Sequence, residues 1–357
     1  MKSSEQTEFW RERLAEAVRG YEKPVRIMEV CGSHTNAIAQ AGLRSLLPEN
    51  VRLISGPGCP VCVSGAGFIE EARKAGALPG VTLMVFGDLL PVPGASPERR
   101  TLAETTAAEV IYSPEEALEY ARLHPERHVV FAAVGFDPTL SATAGVLAEA
   151  AERQVKNFSL LSDFKRLRPV LELLVSGEGE NGLSGFLLPG HVAAVCGEAG
   201  FEGLRIPGVI SGFEPENILH SLLRLLRLIA AGNGTVENNY TRVVGPCGNP
   251  VALGLIEKFF EPAPSVWRGF GEVGGGGWNL RPQWREFDAF ARCGIERVRA
   301  AESPLCRCGE VLRGRLSPEN CGMFGHKCTP EHPVGACMVS SEGACQAAYR
   351  YREAGLA

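Results

Sequence analysis

The chain has 357 residues, of which 45% are hydrophobic and 22% charged, and its formal net charge is −5. At about 100–200 residues per domain, this length predicts two or three domains. There is no basic block interleaved with aromatic residues and no apolar run of the ~18 residues that cross a membrane, so we expect neither nucleic acid nor membrane as a partner. The charged N-terminus has no signal-peptide core, and we expect a cytoplasmic protein.

The first predicted elements lead to a single cysteine. An amphipathic helix over residues 4–20 is followed by a short buried strand that ends at Cys31. Gly32 then turns the chain into a helix that we expect to run to about Leu47. The N–H groups and dipole at the start of such a helix favour a thiolate, which predicts a reactive Cys31, with a buried structural thiol as the alternative. His34 is expected to face the same place or to be structural.

The next strand runs into the sequence ISGPGCPVCV at residues 54–63. Its glycines and prolines predict a rigid, tight loop that is neither regular helix nor strand. Cys59 and Cys62 lie in a Cys-x-x-Cys spacing within it. Two thiols so close together can form a disulfide, share a metal, or act in turn as nucleophile and resolving thiol.

Strands and helices alternate through residues 25–127, and again through 128–235. This pattern predicts α/β units with parallel sheets, in which ligands lie beyond the carboxyl ends of the strands. Cys31, the Cys59 loop and Asp88 each follow a predicted strand, and we expect them to converge at one edge.

The second unit repeats this architecture without a sequence repeat. His191 and Glu214 lie at its strand-to-helix turns. They are predicted either to face the cleft between the two units or only to cap helices and satisfy backbone groups.

The composition changes after residue 235. The run of four glycines at 274–277 has no phosphate-loop pattern and is predicted to be a loop. Six of the twelve cysteines lie between Cys306 and Cys345, in a stretch too rich in proline and glycine to build its own core. A bound inorganic centre would order it. Wide, uneven spacing favours an iron–sulfur cluster over zinc, but the spacing alone does not choose four ligands from six.

Eight motifs together resemble the HypD family of hydrogenase maturation factors, over nearly the whole chain. They are CGSHT at 31–35, SGPGCPVCV at 55–63, FGDLLPVPG at 86–94, PGHVAAVCG at 189–197, GFEPENIL at 212–219, ENNYTR at 237–242, WRG at 267–269 and CTPEHPVGACMVSSEGAC at 328–345.

The resemblance implies a cytoplasmic scaffold on which the Fe(CN)2CO group of NiFe hydrogenases is assembled. It implies a HypC-type chaperone and a HypE-type cyanide donor as partners, with the hydrogenase large subunit reached indirectly. The implied fold has two similar α/β domains around a cleft, at 25–127 and 128–235. A third domain at 236–357 holds a 4Fe–4S cluster, and we expect the helix within residues 1–24 to pack on it.

The resemblance also assigns residues. The family's cluster pattern falls on Cys306, Cys321, Cys328 and Cys345, which leaves Cys308 and Cys337 over as possible replacements for an assigned ligand. The iron-anchoring cysteine of the family matches Cys31, and its redox pair matches Cys59 and Cys62. His34, Asp88, His191 and Glu214 complete the predicted site.

Two other functions stay open at this point. One is a stand-alone thiol–disulfide oxidoreductase, and the other is an interaction scaffold whose C-terminus is ordered by zinc. The single cysteine in CGSHT favours metallocentre assembly, because neither alternative needs it. Whether such a scaffold counts as an enzyme is left open, and ATP hydrolysis by a complex has no phosphate-loop motif to support it.

Overall fold

The computed structural model of the chain describes residues 4–95, 97–176 and 182–353, and it confirms the predicted α/β class. The strands are β1 (Val25–Glu29), β2 (Val51–Ser55), β3 (Val81–Phe86), β4 (Glu109–Ile111), β5 (His128–Gly135), β6 (Phe158–Lys165), β7 (Gly185–Pro189), β8 (Gly208–Ser211), β9 (Val236–Asn238), β10 (Phe260–Trp267) and β11 (Gly271–Leu280). The helices are α1 (Ser4–Ala17), α2 (Gly32–Gln40), α3 (Pro60–Val63), α4 (Ala66–Gly76), α5 (Leu102–Thr105), α6 (Pro114–Leu123), α7 (Asp137–Glu152), α8 (Leu167–Ser176), α9 (Gly190–Cys196), α10 (Pro215–Ala230), α11 (Pro250–Phe259), α12 (Ala289–Cys293), α13 (Cys308–Leu312) and α14 (Ala344–Glu353). In the part of the chain that is described, no helix is long and apolar enough to span a membrane.

The strands form two sheets. The first is parallel, in the order β2-β1-β7-β8-β9, and the second has the order β10-β11-β6-β5-β3-β4. In the second sheet β10 and β11 form an antiparallel hairpin that pairs with β6, while the other pairs are parallel. The central strand β5 is almost continuously apolar because both its faces are covered.

Each sheet takes strands from both sides of residue 127, the predicted boundary between the first two units. In the first sheet Ile27 of β1 is paired with Gly185 of β7. In the second, Met84 of β3 is paired with Phe131 of β5. Alternation along the sequence identifies strands and helices, but it does not show which strands pair across a long separation.

The glycine run at 274–277 is part of strand β11, so the prediction of a loop was wrong. A Cβ at Gly277 would lie 2.5 Å from Cβ of Ser265, and one at Gly276 would lie 2.7 Å from Cβ of Val273. Glycine in a strand often marks such a close approach of neighbouring chain segments. The hairpin formed by β10 and β11 therefore belongs to the second sheet, although the sequence placed it in the C-terminal domain.

Helix α1 packs on α10, and not on the C-terminal domain as predicted. Its buried side presents Trp10 and Leu14, and the Trp10 ring meets the His220 ring edge-on at 4.8 Å. The C-terminal helix α14 instead packs on α2, where the Tyr351 hydroxyl donates to Oδ1 of Asn36 at 2.6 Å. Helix α2 also ends at Gln40, well before Leu47.

Candidate functional site

Cys31 lies between strand β1 and helix α2, in extended conformation at the N-cap position of the helix. The Cys59 loop packs directly on it. The carbonyl of Gly58 accepts a hydrogen bond from the Gly32 N–H at 3.2 Å, and a Cβ at Gly58 would lie 2.3 Å from Cα of Cys31. Only glycine allows this contact, which brings the first two predicted thiol groups together.

Cys59 and Cys62 are joined by a disulfide, and both side chains are buried. Residues 60–63 form the single-turn helix α3, so the prediction of a stretch without regular structure was wrong here. Pro60 is compatible with this turn because it occupies the first helical position, where a backbone N–H would have no partner within the helix. The Sγ atom of Cys59 accepts from the N–H of Cys62 at 3.2 Å.

Arg268 supports the segment that follows the disulfide. Its guanidinium donates to the carbonyl oxygens of Cys62 at 2.9 Å and Ser64 at 2.8 Å, and it forms an ion pair with Glu302. Arg268 is buried. It lies in the WRG motif, but no role was predicted for it, because the carbonyl groups that it binds lie about 200 residues earlier in the chain.

The C-terminal segment contacts both the disulfide and the surroundings of Cys31. Sγ of Cys62 lies 3.9 Å from the carbonyl oxygen of Ala336. Near Cys31, the Ser33 hydroxyl donates to Oε1 of Glu342 at 2.6 Å. The Ser340 hydroxyl donates to Oδ2 of Asp88 at 2.8 Å. The structure thus places Asp88 against the same C-terminal segment that reaches Cys31 and Cys62.

The electrostatic surroundings of Cys31 differ from the prediction. Burial, and to a lesser extent the Glu342 carboxylate, raise the pKa of Cys31 to about 11. The backbone N–H groups of Ser33 and His34 oppose this shift but do not outweigh it. Burial therefore outweighs the helix N-terminus in setting the pKa of Cys31. The pKa of Glu342 is itself raised, first by burial and further by Asp88.

His34 and His191 lie on opposite faces of one aromatic ring. The ring centroids of His34 and Phe213 are 4.6 Å apart, and those of His191 and Phe213 are 3.9 Å apart. The sequence predicted both histidines as candidates but missed Phe213, which comes directly before Glu214. The stack connects the first turns of α2 and α9 with the turn before α10.

His34 is fully buried, and burial lowers its pKa to about 4. The imidazole is therefore neutral, and its Nε2–H donates to the Gly212 carbonyl at 2.9 Å. The remaining nitrogen, Nδ1, is buried without a hydrogen-bond partner among the described residues. Burial also lowers the pKa of His191.

Glu214 is in a different environment. It is exposed, occupies the N-cap position of α10 without a side-chain cap bond, and forms an ion pair with Arg242. A hydrogen bond from its own backbone, followed by the Arg242 guanidinium, lowers the pKa of Glu214. The structure gives this carboxylate a surface ion pair, and it does not join it to the thiols.

Five cysteines line one small cavity in the C-terminal segment: Cys306, Cys308, Cys321, Cys328 and Cys345. The sixth, Cys337, is buried and does not line it. The sulfur atoms of two lining residues accept backbone hydrogen bonds, Cys306 from Cys308 at 3.4 Å and Cys328 from Val334 at 3.3 Å. All four ligands implied by the resemblance therefore face one cavity, together with Cys308.

This donor set fits an iron–sulfur cluster. Over residues 4–95, 97–176 and 182–353, no three His, Cys, Asp or Glu side chains converge as they would on one metal ion. A 4Fe–4S cluster does not require such convergence, because its thiolates surround a cluster of four irons. Soft thiolates around a cavity suit it.

Fold and site define a class: an α/β protein in which a single cysteine, a buried disulfide and a cysteine-lined cavity are joined by one C-terminal segment. Comparisons with known proteins show which family has these features. A family model, HypD, described as "Hydrogenase formation hypA family", matches residues 6–352. The chain belongs to the HypD family of hydrogenase maturation factors.

Named relatives agree along the whole chain. The hydrogenase maturation factor HypD of Escherichia coli K12 is 40% identical over 352 residues, covering 97% of this chain and 94% of its own length. That of Rhizobium leguminosarum bv. viciae is 41% identical over 350 residues, covering 95% and 90%. A putative hydrogenase expression/formation protein of Methanocaldococcus jannaschii is 37% identical over 333 residues, covering 92% of each chain.

Proposed function

We propose that this maturation factor is a scaffold that assembles the Fe(CN)2CO group. In this proposal Cys31 holds the iron cargo, the Cys59–Cys62 pair supplies electrons for cyanide release, and a 4Fe–4S cluster lies in the C-terminal cavity. Its partners are a HypC-type chaperone and a HypE-type cyanide donor. The hydrogenase large subunit receives the product indirectly.

The observation that carries the proposal is that Cys31, the Cys59–Cys62 disulfide and the cysteine-lined cavity lie next to one another. Gly58 packs against the backbone of Cys31, and the next residue is Cys59. On the other side, Cys62 contacts the carbonyl of Ala336, and a Cβ on the preceding Gly335 would lie 2.2 Å from Sγ of Cys306. The proposed anchor, the proposed two-electron donor and the proposed cluster site are thus neighbours in one fold.

Cys31 suits the anchoring role because a soft thiolate binds iron that carries cyanide and carbon monoxide. Since burial raises the pKa of Cys31, this side chain is a neutral thiol before the cargo arrives. Binding the iron displaces that proton. We propose that the chaperone's cysteine supplies a second thiolate to the same iron.

The disulfide suits the redox role because cyanide release from an enzyme-bound thiocyanate consumes two electrons. A dithiol at Cys59 and Cys62 reacts with R–S–CN to give the Cys59–Cys62 disulfide, R–SH and HCN, and as the cyanide binds iron its proton is released. The disulfide between Cys59 and Cys62 is the bond that this step would form. When bound, the cluster supplies single electrons to restore the dithiol. Cys306, Cys321, Cys328 and Cys345 would hold it.

The burial of the pair argues against a stand-alone thiol–disulfide oxidoreductase. Cys59 is 3% exposed and Cys62 is 0% exposed, so neither sulfur meets a protein disulfide from solution. Exchange proceeds by direct attack of one sulfur on another and requires such access. A zinc-ordered scaffold is the other alternative, and metal analysis separates it from the proposal.

The test is a pair of cysteine variants in cells that depend on this factor for NiFe hydrogenase activity. We expect Cys62→Ser to abolish hydrogenase activity while the purified protein keeps its iron and sulfide. The exposed Cys247 gives a matched control, and Cys247→Ser should leave both unchanged. Normal hydrogenase activity in Cys62→Ser would refute the redox role. Zinc without sulfide in the anaerobically purified parent protein would refute the cluster.

A further inference from the structure

The cavity in the C-terminal segment has one thiol more than a cluster needs. Five cysteine side chains line it, and a 4Fe–4S cluster is held by four thiolates. Cys337 is not among the five, so the surplus lies within the lining set itself.

Cys308 lies close to two other thiols of the cavity. It is within hydrogen-bonding reach of the thiols of Cys306 and Cys345. Cys306 and Cys308 also face the same glycine, since a Cβ at Gly335 would lie 2.2 Å from Sγ of Cys306 and 3.0 Å from Sγ of Cys308. Two thiols therefore stand at one corner of the cavity.

The two thiols of this corner differ in burial. Cys308 is buried and is the first residue of helix α13. Cys306 is only partly buried, precedes the helix in an irregular segment, and follows Leu305, whose side chain is 53% exposed. Cys306 is therefore the more accessible of the two thiols, and Cys308 the more enclosed.

The corner also faces the redox pair. Gly335 touches both thiols, and the carbonyl of the next residue, Ala336, contacts Sγ of Cys62. The glycine that faces both thiols is therefore one residue from the carbonyl group that contacts the disulfide.

We propose that Cys306 and Cys308 are alternative ligands for one position of the proposed cluster. With the cluster bound, either sulfur would hold that position, and a change from Cys306 to Cys308 would replace one iron–sulfur bond by another, with the Cys308 proton passing to the Cys306 sulfur and no electron transferred. The inference rests on the proposed cluster and adds that its corner facing the disulfide is the labile one.

The test is a set of serine variants of the full chain, reconstituted without oxygen. We expect Cys306→Ser and Cys308→Ser each to retain the iron and sulfide of the parent, because the other thiol takes the position. The double variant should lose both almost completely, as should the single variant Cys321→Ser at a position without a substitute. Cys337→Ser is the matched control for a buried cysteine outside the cavity and should match the parent.

A second readout does not depend on the double variant folding. The electron paramagnetic resonance spectrum of the reduced cluster should differ between Cys306→Ser and Cys308→Ser, because each fixes a different ligand. Loss of the cluster from either single variant, or a full cluster in the double variant, would overturn the exchange while leaving the proposed function in place. Zinc without sulfide in the parent would instead overturn both.

Discussion

The sharpest prediction concerns Gly58, the residue that joins the disulfide loop to Cys31. In Gly58→Ala the new Cβ would lie 2.3 Å from both Cα and N of Cys31. Ordinary contacts of this kind are more than 1 Å longer. The atoms in the way belong to the backbone at the end of β1, so no side chain can rotate to relieve the clash.

The expected cost follows from this geometry. Inserting a methyl group into a well-packed region typically costs about 1–3 kcal/mol, and a clash with backbone lies at the upper end or beyond. We therefore expect Gly58→Ala to lower the free energy of unfolding by about 3 kcal/mol and to separate the loop from Cys31. Urea denaturation measures the first effect, and hydrogenase maturation in cells reports the second.

Gly254 provides the control for this substitution. It lies in the exposed interior of helix α11, and a Cβ there would have nothing within 4 Å. Because alanine is the better helix former, Gly254→Ala should stabilise the protein by about 0.5–1 kcal/mol. Unchanged stability and normal maturation in Gly58→Ala would refute the packing of the loop on Cys31.

Three further predictions address electrostatics. Arg268→Ala leaves two backbone carbonyls without their donor, and each unsatisfied carbonyl costs about 1–3 kcal/mol. Urea denaturation should therefore show that the free energy of unfolding falls by about 2–5 kcal/mol. A midpoint equal to that of the parent would contradict this. Glu342→Gln removes a negative charge near Cys31 and should lower the pKa of Cys31, which nuclear magnetic resonance of the labelled cysteine Cβ would detect as a lower titration midpoint; an unchanged midpoint would contradict it. The pKa of His34 falls from 6.5 to about 4 on folding. Its contribution to stability is therefore complete above pH 6.5 and decreases by about 3 kcal/mol as the pH falls toward 4. The denaturation midpoint of His34→Phe should depend less on pH over that range, and equal dependence would refute the assignment.

The features that depend only on neighbouring residues could be predicted from the sequence. The strand that ends at Cys31, the helix after it and the compact Cys59–Cys62 pair were recognisable because each signal lies within a few residues. Parallel strands place their carboxyl ends at one edge, and the contact of Gly58 with Cys31 follows from β1 and β2 lying side by side.

The rest depends on pairing over long distances, which has no local signal. Strand β1 lies between β2 and β7, so the first sheet is completed only by residues after 184. Glu342 reaches the first turn of α2 from more than 300 positions away. Phe213 was missed for the same reason, because His34, which stacks on it, is far away in the sequence. Strand β11 was missed because its glycines hide the usual alternation of side chains.

The burial of the site leads to a final inference about how electrons and cargo reach it. Cys31, Cys59 and Cys62 are all less than 9% exposed, so a reagent in solution cannot contact their sulfurs without a local opening. In the proposed function the cargo must come from a partner that opens the site on docking. The electrons can come from inside, because Gly335 and Ala336 join the cysteine cavity to Cys62 without crossing solvent. In the proposed function, burial thus separates the supply of cargo from the supply of electrons, and it keeps the Cys59–Cys62 pair out of reach of other disulfides.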